Sequence, residues 1–251
     1  MADSGSPPDA PQSTPPKPFL VRLIGVFVEP GETFDDIARK PDFIAPLILL
    51  MLVSVAVAET MLAKIGIDRI ILQTLKQSGR ASSMNPSQLN QAVQKAASIG
   101  SVMIQVMAVA GIPIFLLSVA GFGLLVLNFI FGESAGFKEV FSATCYAYMP
   151  RVVGGVMAIA VMFFGDPDYF RPTSPAPTNL GFFLNPLTTS RAILTLASAL
   201  DILTLWFLVL IAIGLSRVSR NKVKAGSIFI TFFGVWVLLV LAKVGFALLA
   251  G

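Results

Sequence analysis

Four ionisable residues, two acids and two bases, lie within long apolar segments of the sequence: Glu59, Arg151, Asp201 and Lys243. A charge at the depth of a lipid bilayer is costly, so it is rarely left there without a partner. Such residues are candidates for a substrate or proton pathway, or for ion pairs that fix how helices pack. The chemistry that they could support depends on whether they lie at matching depths.

The helical rise of about 1.5 Å per residue sorts the four charges into two layers. Arg151 and Asp201 both fall roughly 15 Å from one end of their segments, near the bilayer midplane, and are predicted to form a central ion pair. Glu59 and Lys243 fall about 25 Å from the cytoplasmic side, where they form a second pair or extend separately to water. A structural role and a transport role both remain open. If the central pair exists, exchanging its two charges should restore the stability that either single substitution removes.

The sequence lacks the residues that most enzymes of known type require. It contains no histidine and a single cysteine, Cys145. Nucleophiles activated by histidine and cysteine-based zinc sites are therefore excluded. The H-E-x-x-H, G-x-S-x-G, phosphate-loop and dinucleotide-binding motifs are also absent. We predict a protein that is not an enzyme and that has no catalytic residue, cofactor or bound metal.

The composition is that of an integral membrane protein. Hydrophobic residues make up 55% of the 251 residues and charged residues only 13%, whereas soluble domains carry about 25% charged residues. The apolar runs are continuous rather than alternating, which predicts spanning helices and an all-α fold. The excess of basic over acidic residues, 18 to 14, is typical of cytoplasmic loops, and no nucleic-acid partner is predicted.

The chain divides into three parts. Residues 1–18 are rich in Pro, Ser and Asp and are predicted to be a disordered cytoplasmic tail. Residues 19–42 are predicted to form short amphipathic helices at the membrane interface. Residues 43–250 are predicted to form a transmembrane bundle of five helices, each near the ~20 residues that a span requires, at 43–64, 102–131, 140–164, 191–214 and 225–248.

Prolines and glycines mark expected bends and contacts in these helices. Pro113 in the second span and Pro150 in the third are predicted to bend them. Gly154 and Gly155 form a small-residue face that suits close helix contact or self-association. The helix of the second span is predicted to begin earlier, at Pro86, with the preceding asparagine as its N-cap.

The turn at 216–224 indicates the orientation. It contains four basic residues and no acid, which is typical of a cytoplasmic loop. With five spans, the N-terminus is then cytoplasmic and the C-terminus lies outside.

Three segments resemble the Yip domain (Ypt-interacting-protein) family in their order and spacing. The first, FVEPGETFDDIARKPDFIAPLIL, is a proline-bounded helix that leads into the first span. The second, GFKEVFSATCYAYMP, contains Tyr146 and Pro150. The third, LDILTLWFLVLIAIGLSRVSRNKVKAG, contains Asp201, Trp206 and Gly214, followed by a basic turn. The resemblance covers about residues 19–250.

The resemblance implies a non-enzymatic, multi-pass protein that organises membrane or protein assemblies in a lipid bilayer, as a homo- or hetero-oligomer. Eukaryotic members are proteins of early secretory membranes that bind Rab-type GTPases and each other. This sequence lacks their Asp-Leu-Tyr-Gly-Pro signature, so a small GTPase partner does not carry over. We expect a bacterial member in the cytoplasmic membrane. The alternative is a small transporter or channel component that uses Arg151 and Asp201.

Overall fold

The computed structural model describes residues 17–77, 79–166, 170–172, 174–185 and 188–249. Within these ranges the chain is helical and contains no β-strand, which confirms the predicted all-α class. Of the predicted tail at 1–18, only Lys17 and Pro18 are among the described residues. The helices are α1 (Phe19–Val28), α2 (Pro30–Arg39), α3 (Ile44–Lys64), α4 (Ile67–Gln77), α5 (Pro86–Leu125), α6 (Phe137–Ala147), α7 (Pro150–Phe164), α8 (Arg191–Ala199), α9 (Ile202–Val218) and α10 (Ala225–Leu249).

Four helical stretches of the described chain are long and apolar enough to cross a membrane: Ile44–Lys64, Pro86–Ile130, Phe137–Phe164 and Ala225–Leu249. The prediction of one continuous helix at 191–214 is wrong. That segment consists of α8 and α9, which are separated at Leu200 and Asp201. With 17 residues, α9 is shorter than the ~20 residues of a typical span. That α8 and α9 together make a fifth crossing stays a prediction.

The second crossing belongs to one long helix, α5, whose start was predicted correctly. The Asn85 side chain accepts a hydrogen bond from the Gln88 backbone N–H at 2.8 Å, and the Gln88 side chain accepts one from the Asn85 N–H at 3.0 Å. This reciprocal capping satisfies two backbone donors that the first turn leaves free. The helix continues through Pro113 and ends in a π-helical turn at Val126–Ile130.

Helix α9 lies at the centre of the molecule. It packs against α2, α6 and α10, whereas α3 packs against α5 and α7. Nine residues of α9 are buried: Leu203, Phe207, Leu208, Leu210, Ile211, Ala212, Gly214, Leu215 and Ser216. By contrast, α10 exposes Ile230, Leu238 and Phe246. An outer helix with this surface is suited to contact with lipid.

Candidate functional site

The crossing formed by α6 and α7 is interrupted at its middle, and this interruption positions Arg151. Tyr148 and Met149 form a turn, and Pro150 is the first residue of α7. Proline is tolerated there because the first turn of a helix has no internal partner for its N–H. The predicted bend at Pro150 is thus the start of a new helix, and Arg151 follows in its first turn.

Asp201 also lies at a helix break, and not within a helix as the sequence suggested. Its carboxylate Oδ1 accepts a hydrogen bond from the Leu203 backbone N–H at 3.1 Å, so it caps the N-terminus of α9. The backbone around the break pairs with the preceding loop: the Ile202 N–H donates to the Thr178 carbonyl oxygen at 3.0 Å. Asn179 and Asp201 form an isolated antiparallel bridge. Backbone groups released by the break therefore find partners inside the protein, as an apolar environment requires.

The two breaks bring Arg151 and Asp201 into contact. Arg151 Nη1 lies 2.9 Å from Asp201 Oδ2. Arg151 Nη2 donates to the Thr204 hydroxyl at 2.8 Å, and that hydroxyl donates to Asp201 Oδ2 at 3.1 Å. The Asp201 side chain is 8% exposed, whereas that of Arg151 is 37% exposed. This three-residue set, hereafter the Arg–Asp–Thr cluster, therefore has one buried side and one open side.

The open side of the cluster faces a cavity of about 700 Å³. Residues of α5, α7, α9 and α10 and of the 174–179 loop line it, and most of the lining is apolar. Phe122 and Phe232, which both line the cavity, meet edge to face with 4.9 Å between their ring centroids. The loop is held in part by Arg171, whose guanidinium donates to the Gly181 carbonyl oxygen. Burial lowers the pKa of the Arg171 side chain.

The predicted outer pair, Glu59 with Lys243, is not formed. Among the described residues no ion pair joins them, because α3 packs on α5 and α7 while α10 packs on α8 and α9. Glu59 Oε1 instead accepts a hydrogen bond from Gln105 Nε2 of α5 at 3.2 Å. Lys243 lines the same cavity as the Arg–Asp–Thr cluster. Similar depth in the membrane did not predict an ion pair here, because depth does not indicate which helices are neighbours.

The glycine face of α7 is occupied within the chain. A β-carbon added to Gly154 would lie 2.6 Å from Leu203 Cδ1 of α9. One added to Gly155 would collide with Val53 of α3. These glycines therefore let α9 and α3 approach α7, and the expectation that they form a self-association face is not met.

A second buried ion pair, which was not predicted from the sequence, joins α1 to α2. Arg22 Nε lies 2.8 Å from Asp36 Oδ2, with side chains 4% and 5% exposed. Asp36 also accepts a hydrogen bond from the Lys17 backbone N–H at 3.1 Å, and its other oxygen lies 3.4 Å from Arg39 Nη2. The available signal was the lone arginine in the apolar run FLVRLIGVFV.

A polar groove of about 1250 Å³ lies between α2, the 132–136 loop and the turn that joins α9 to α10. Two ion pairs tie its walls together: Arg217 with Asp35 at 3.1 Å and Lys222 with Glu133 at 3.0 Å. The remaining charged residues that line it are Lys17, Glu32, Arg39, Glu139 and Arg220. Both signs of charge are thus exposed along this polar groove.

The turn that borders the polar groove has an unusual backbone. Arg220 and Asn221 are successive residues in the left-handed region, with φ of 55° and 60°. Two buried serines hold the turn: the Ser216 hydroxyl donates to the Val223 carbonyl oxygen at 2.7 Å, and the Ser219 hydroxyl accepts from the Val223 N–H at 3.2 Å. Such strain persists only where the surroundings impose it, and it is frequent at binding sites.

A family model described as the Yip1 domain matches residues 24–245. The chain belongs to this family. The match runs from within α1 to within α10, and it includes the Arg–Asp–Thr cluster and every residue of the polar groove except Lys17. No curated protein and no solved structure matches the chain.

Three Yip-like positions singled out in the sequence are packing positions in this fold. Tyr146 is completely buried, and its ring lies 6.3 Å from that of Phe19. The Trp206 ring meets Phe27 edge to face at 5.3 Å. A β-carbon on Gly214 would lie 3.0 Å from the Phe34 ring. In this Yip family member, these three positions therefore hold α1 and α2 against α6 and α9.

Proposed function

We propose that the protein is a non-enzymatic member of the Yip family, in a bacterial cytoplasmic membrane, that organises protein assemblies by docking partner proteins in the polar groove. Family membership supports a place in the lipid bilayer. The observation that carries the docking function is the polar groove itself, which exposes acids and bases of three separate chain segments. A peptide segment that bears both signs of charge would complement it. A small GTPase is not proposed, because the signature of the GTPase-binding members is missing.

The strained turn supports the choice of this surface. Arg220 is exposed and lines the groove in a backbone conformation that costs about 1–2 kcal/mol for a residue other than glycine. Glycine would adopt this backbone conformation without that cost. The presence of arginine, despite this cost, is consistent with a binding role for its guanidinium.

Site-specific photocrosslinking of the full chain in native membranes tests the docking function. A photoreactive residue replaces Ser134, which is exposed in the groove, or Ile230, which is 72% exposed on α10. We expect discrete protein adducts from position 134 that weaken with salt and with Arg220→Glu, and none from position 230. Equal adduct patterns at both positions, or adducts indifferent to Arg220→Glu, would contradict the proposal.

We further propose that the N-terminus and the polar groove face the cytoplasm and that the C-terminus lies outside. The four bases of the 216–224 turn support this orientation. Fusions to a reporter enzyme that is active only on the non-cytoplasmic side of the membrane test this orientation. The reporter should be active when it is fused to the C-terminus and inactive when it is fused after Lys224. The opposite pattern would reverse the orientation.

A second candidate function is that of a small transporter or channel component. The observation that favours it is the placement of the Arg–Asp–Thr cluster at two helix breaks beside a cavity, since transporters bind substrates at interrupted helices. Ion or proton flux in liposomes that Asp201→Asn abolishes would support it. Absence of flux in liposomes that contain folded protein would leave the docking function as the better proposal.

A further inference from the structure

We infer that the cavity beside the Arg–Asp–Thr cluster binds a long-chain fatty acid, with its carboxylate at Arg151 and Lys243 and its hydrocarbon chain along α10. This inference goes beyond the docking function and uses a different part of the molecule. It holds whether or not any solute crosses the membrane. The lining of the cavity, its charge and its volume favour this ligand.

The cavity has a polar end and an apolar end. Arg151, Asp201 and Lys243 are the charged residues of the lining, and Thr204 lies beside the first two. Uncharged polar side chains also line it: Ser118, Tyr148, Ser174, Thr178, Asn179 and Ser198. On α10, Phe232, Trp236 and Lys243 all line the cavity, and Phe232 and Lys243 are about 16 Å apart at a rise of 1.5 Å per residue. Phe232 contacts Phe122 of α5 edge to face, and both rings belong to the apolar part of the lining. This arrangement fits one extended hydrocarbon chain with a polar headgroup.

The charge of the polar end specifies the headgroup. Arg151 and Lys243 are positive and Asp201 is negative, so the lining carries one unit of positive charge. A carboxylate supplies one negative charge, whereas a phosphate monoester carries roughly −1.5 to −2 at neutral pH. An arginine side chain has five N–H donors. The partners of the Arg151 guanidinium are Asp201, Thr204 and Tyr148, and its Nε is buried, so at least one Nη donor is left for a ligand. The partly exposed guanidinium is therefore able to bind a carboxylate.

The volume of the cavity suits a small-molecule ligand. At about 700 Å³, the cavity lies within the range of roughly 300–1,000 Å³ that is usual for small-molecule sites. Its lining includes the aromatic rings of Phe115, Phe207 and Trp236. A hydrocarbon chain that enters from the bilayer leaves one apolar medium for another, so its affinity comes from van der Waals contact with these rings and from the charged headgroup.

The two tryptophans of the chain provide a direct assay. Trp236 lines the cavity, whereas Trp206 packs against Phe27 and is not among the lining residues. The full chain carrying Trp206→Phe is placed in bilayers of unbrominated, uncharged lipid and titrated with 9,10-dibromostearate, which quenches adjacent tryptophan. We expect saturable quenching of Trp236. The matched variant Trp236→Phe should show only the gradual quenching that follows partitioning of the probe into the bilayer.

Charge variants and uncharged probes complete the test. Lys243→Gln and Arg151→Gln should each weaken the saturable phase roughly tenfold or more, since hydrogen bonds to charged groups contribute about 1.5–3 kcal/mol. Lys243 is exposed and has no structural partner among the described residues, so its variant should fold even if the Arg151 variant does not. Equal saturable quenching by dibromostearate methyl ester, or by dibrominated phosphatidylglycerol, would overturn the inference. Quenching that never saturates would also overturn it.

Discussion

The Arg22 guanidinium and the Asp36 carboxylate lie 2.8 Å apart between α1 and α2, and both side chains are almost completely buried. Both helices precede the first candidate span, yet they pack into the bundle: Val26, Phe34 and Ile37 belong to the main hydrophobic core. The N-terminal helices are thus part of the folded domain. Of the two, α2 packs against α9 and forms one wall of the polar groove.

Replacing Asp36 should be far more harmful than replacing its neighbour Asp35. We expect Asp36→Asn to lower the free energy of unfolding by about 3–5 kcal/mol, because it leaves Arg22 as a buried charge without its ionic partner. Asp35→Asn breaks only the partly exposed contact with Arg217 and should cost at most about 1 kcal/mol. Denaturant unfolding of both variants in the same detergent is the measurement. Equal losses would show that burial of the Arg22–Asp36 pair is not decisive.

Asp201 has two separable roles, as an ionic partner and as a helix cap. Asp201→Asn should keep the cap and lose the ionic attraction, whereas Asp201→Ala loses both. We therefore expect the alanine variant to be less stable than the asparagine variant by about 1 kcal/mol, since Asn and Asp are equally good N-caps. Thermal unfolding of the two variants under identical conditions measures the difference.

The charge exchange provides a second test of the same residue. Arg151→Asp combined with Asp201→Arg restores opposite charges, but an arginine at position 201 cannot accept the Leu203 N–H bond. The structure thus revises the expectation of full recovery to a partial one, with the double variant more stable than either single variant. If the double variant recovers the full stability of the unmodified protein, the helix cap contributes nothing to stability. If it recovers none, the ion pair contributes nothing.

Gly214 should be intolerant of a methyl group. A β-carbon there would lie 3.0 Å from two atoms of the Phe34 ring and 3.3 Å from Ala143. We expect Gly214→Ala to destabilise the protein by about 1–3 kcal/mol, which is typical of overpacking. Gly234→Ala is the matched control: it has open space around it and should raise stability by up to about 1 kcal/mol. If both variants behave alike in thermal unfolding, close packing of α2 on α9 is not important.

Arg220 should show a trade-off between stability and binding. Arg220→Gly removes the left-handed strain and should raise the free energy of unfolding by about 1 kcal/mol, while weakening photocrosslinking from position 134. Arg220→Gln removes the charge and keeps the backbone conformation, so it should weaken crosslinking without stabilising the fold. If the glycine variant is stabilised but crosslinks as well as the unmodified protein, Arg220 does not contribute to docking.

The sequence by itself determined the class of the protein and some of its local structure. A low content of charged residues and long apolar runs indicate a chain that lies in lipid. Because lipid offers no hydrogen-bond partners, the backbone groups of such a chain must pair within helices, and the all-α membrane class follows from composition. Capping of α5 by Asn85 also followed from local sequence, because both partners lie within four residues. The resemblance in three segments was sufficient to indicate the family, which the match over residues 24–245 then showed.

Only the tertiary structure decided which helices are neighbours and where they break. Hydropathy describes the environment of a segment and not its partner, so Glu59 and Lys243 were matched by depth although α3 and α10 lie apart. The break at Asp201 was missed because its backbone is satisfied by the distant loop at 178–180, a contact that no local pattern encodes. The Arg22–Asp36 pair was missed for the same reason: its stability comes from burial by α6 and α9, and burial is a property of the assembled fold.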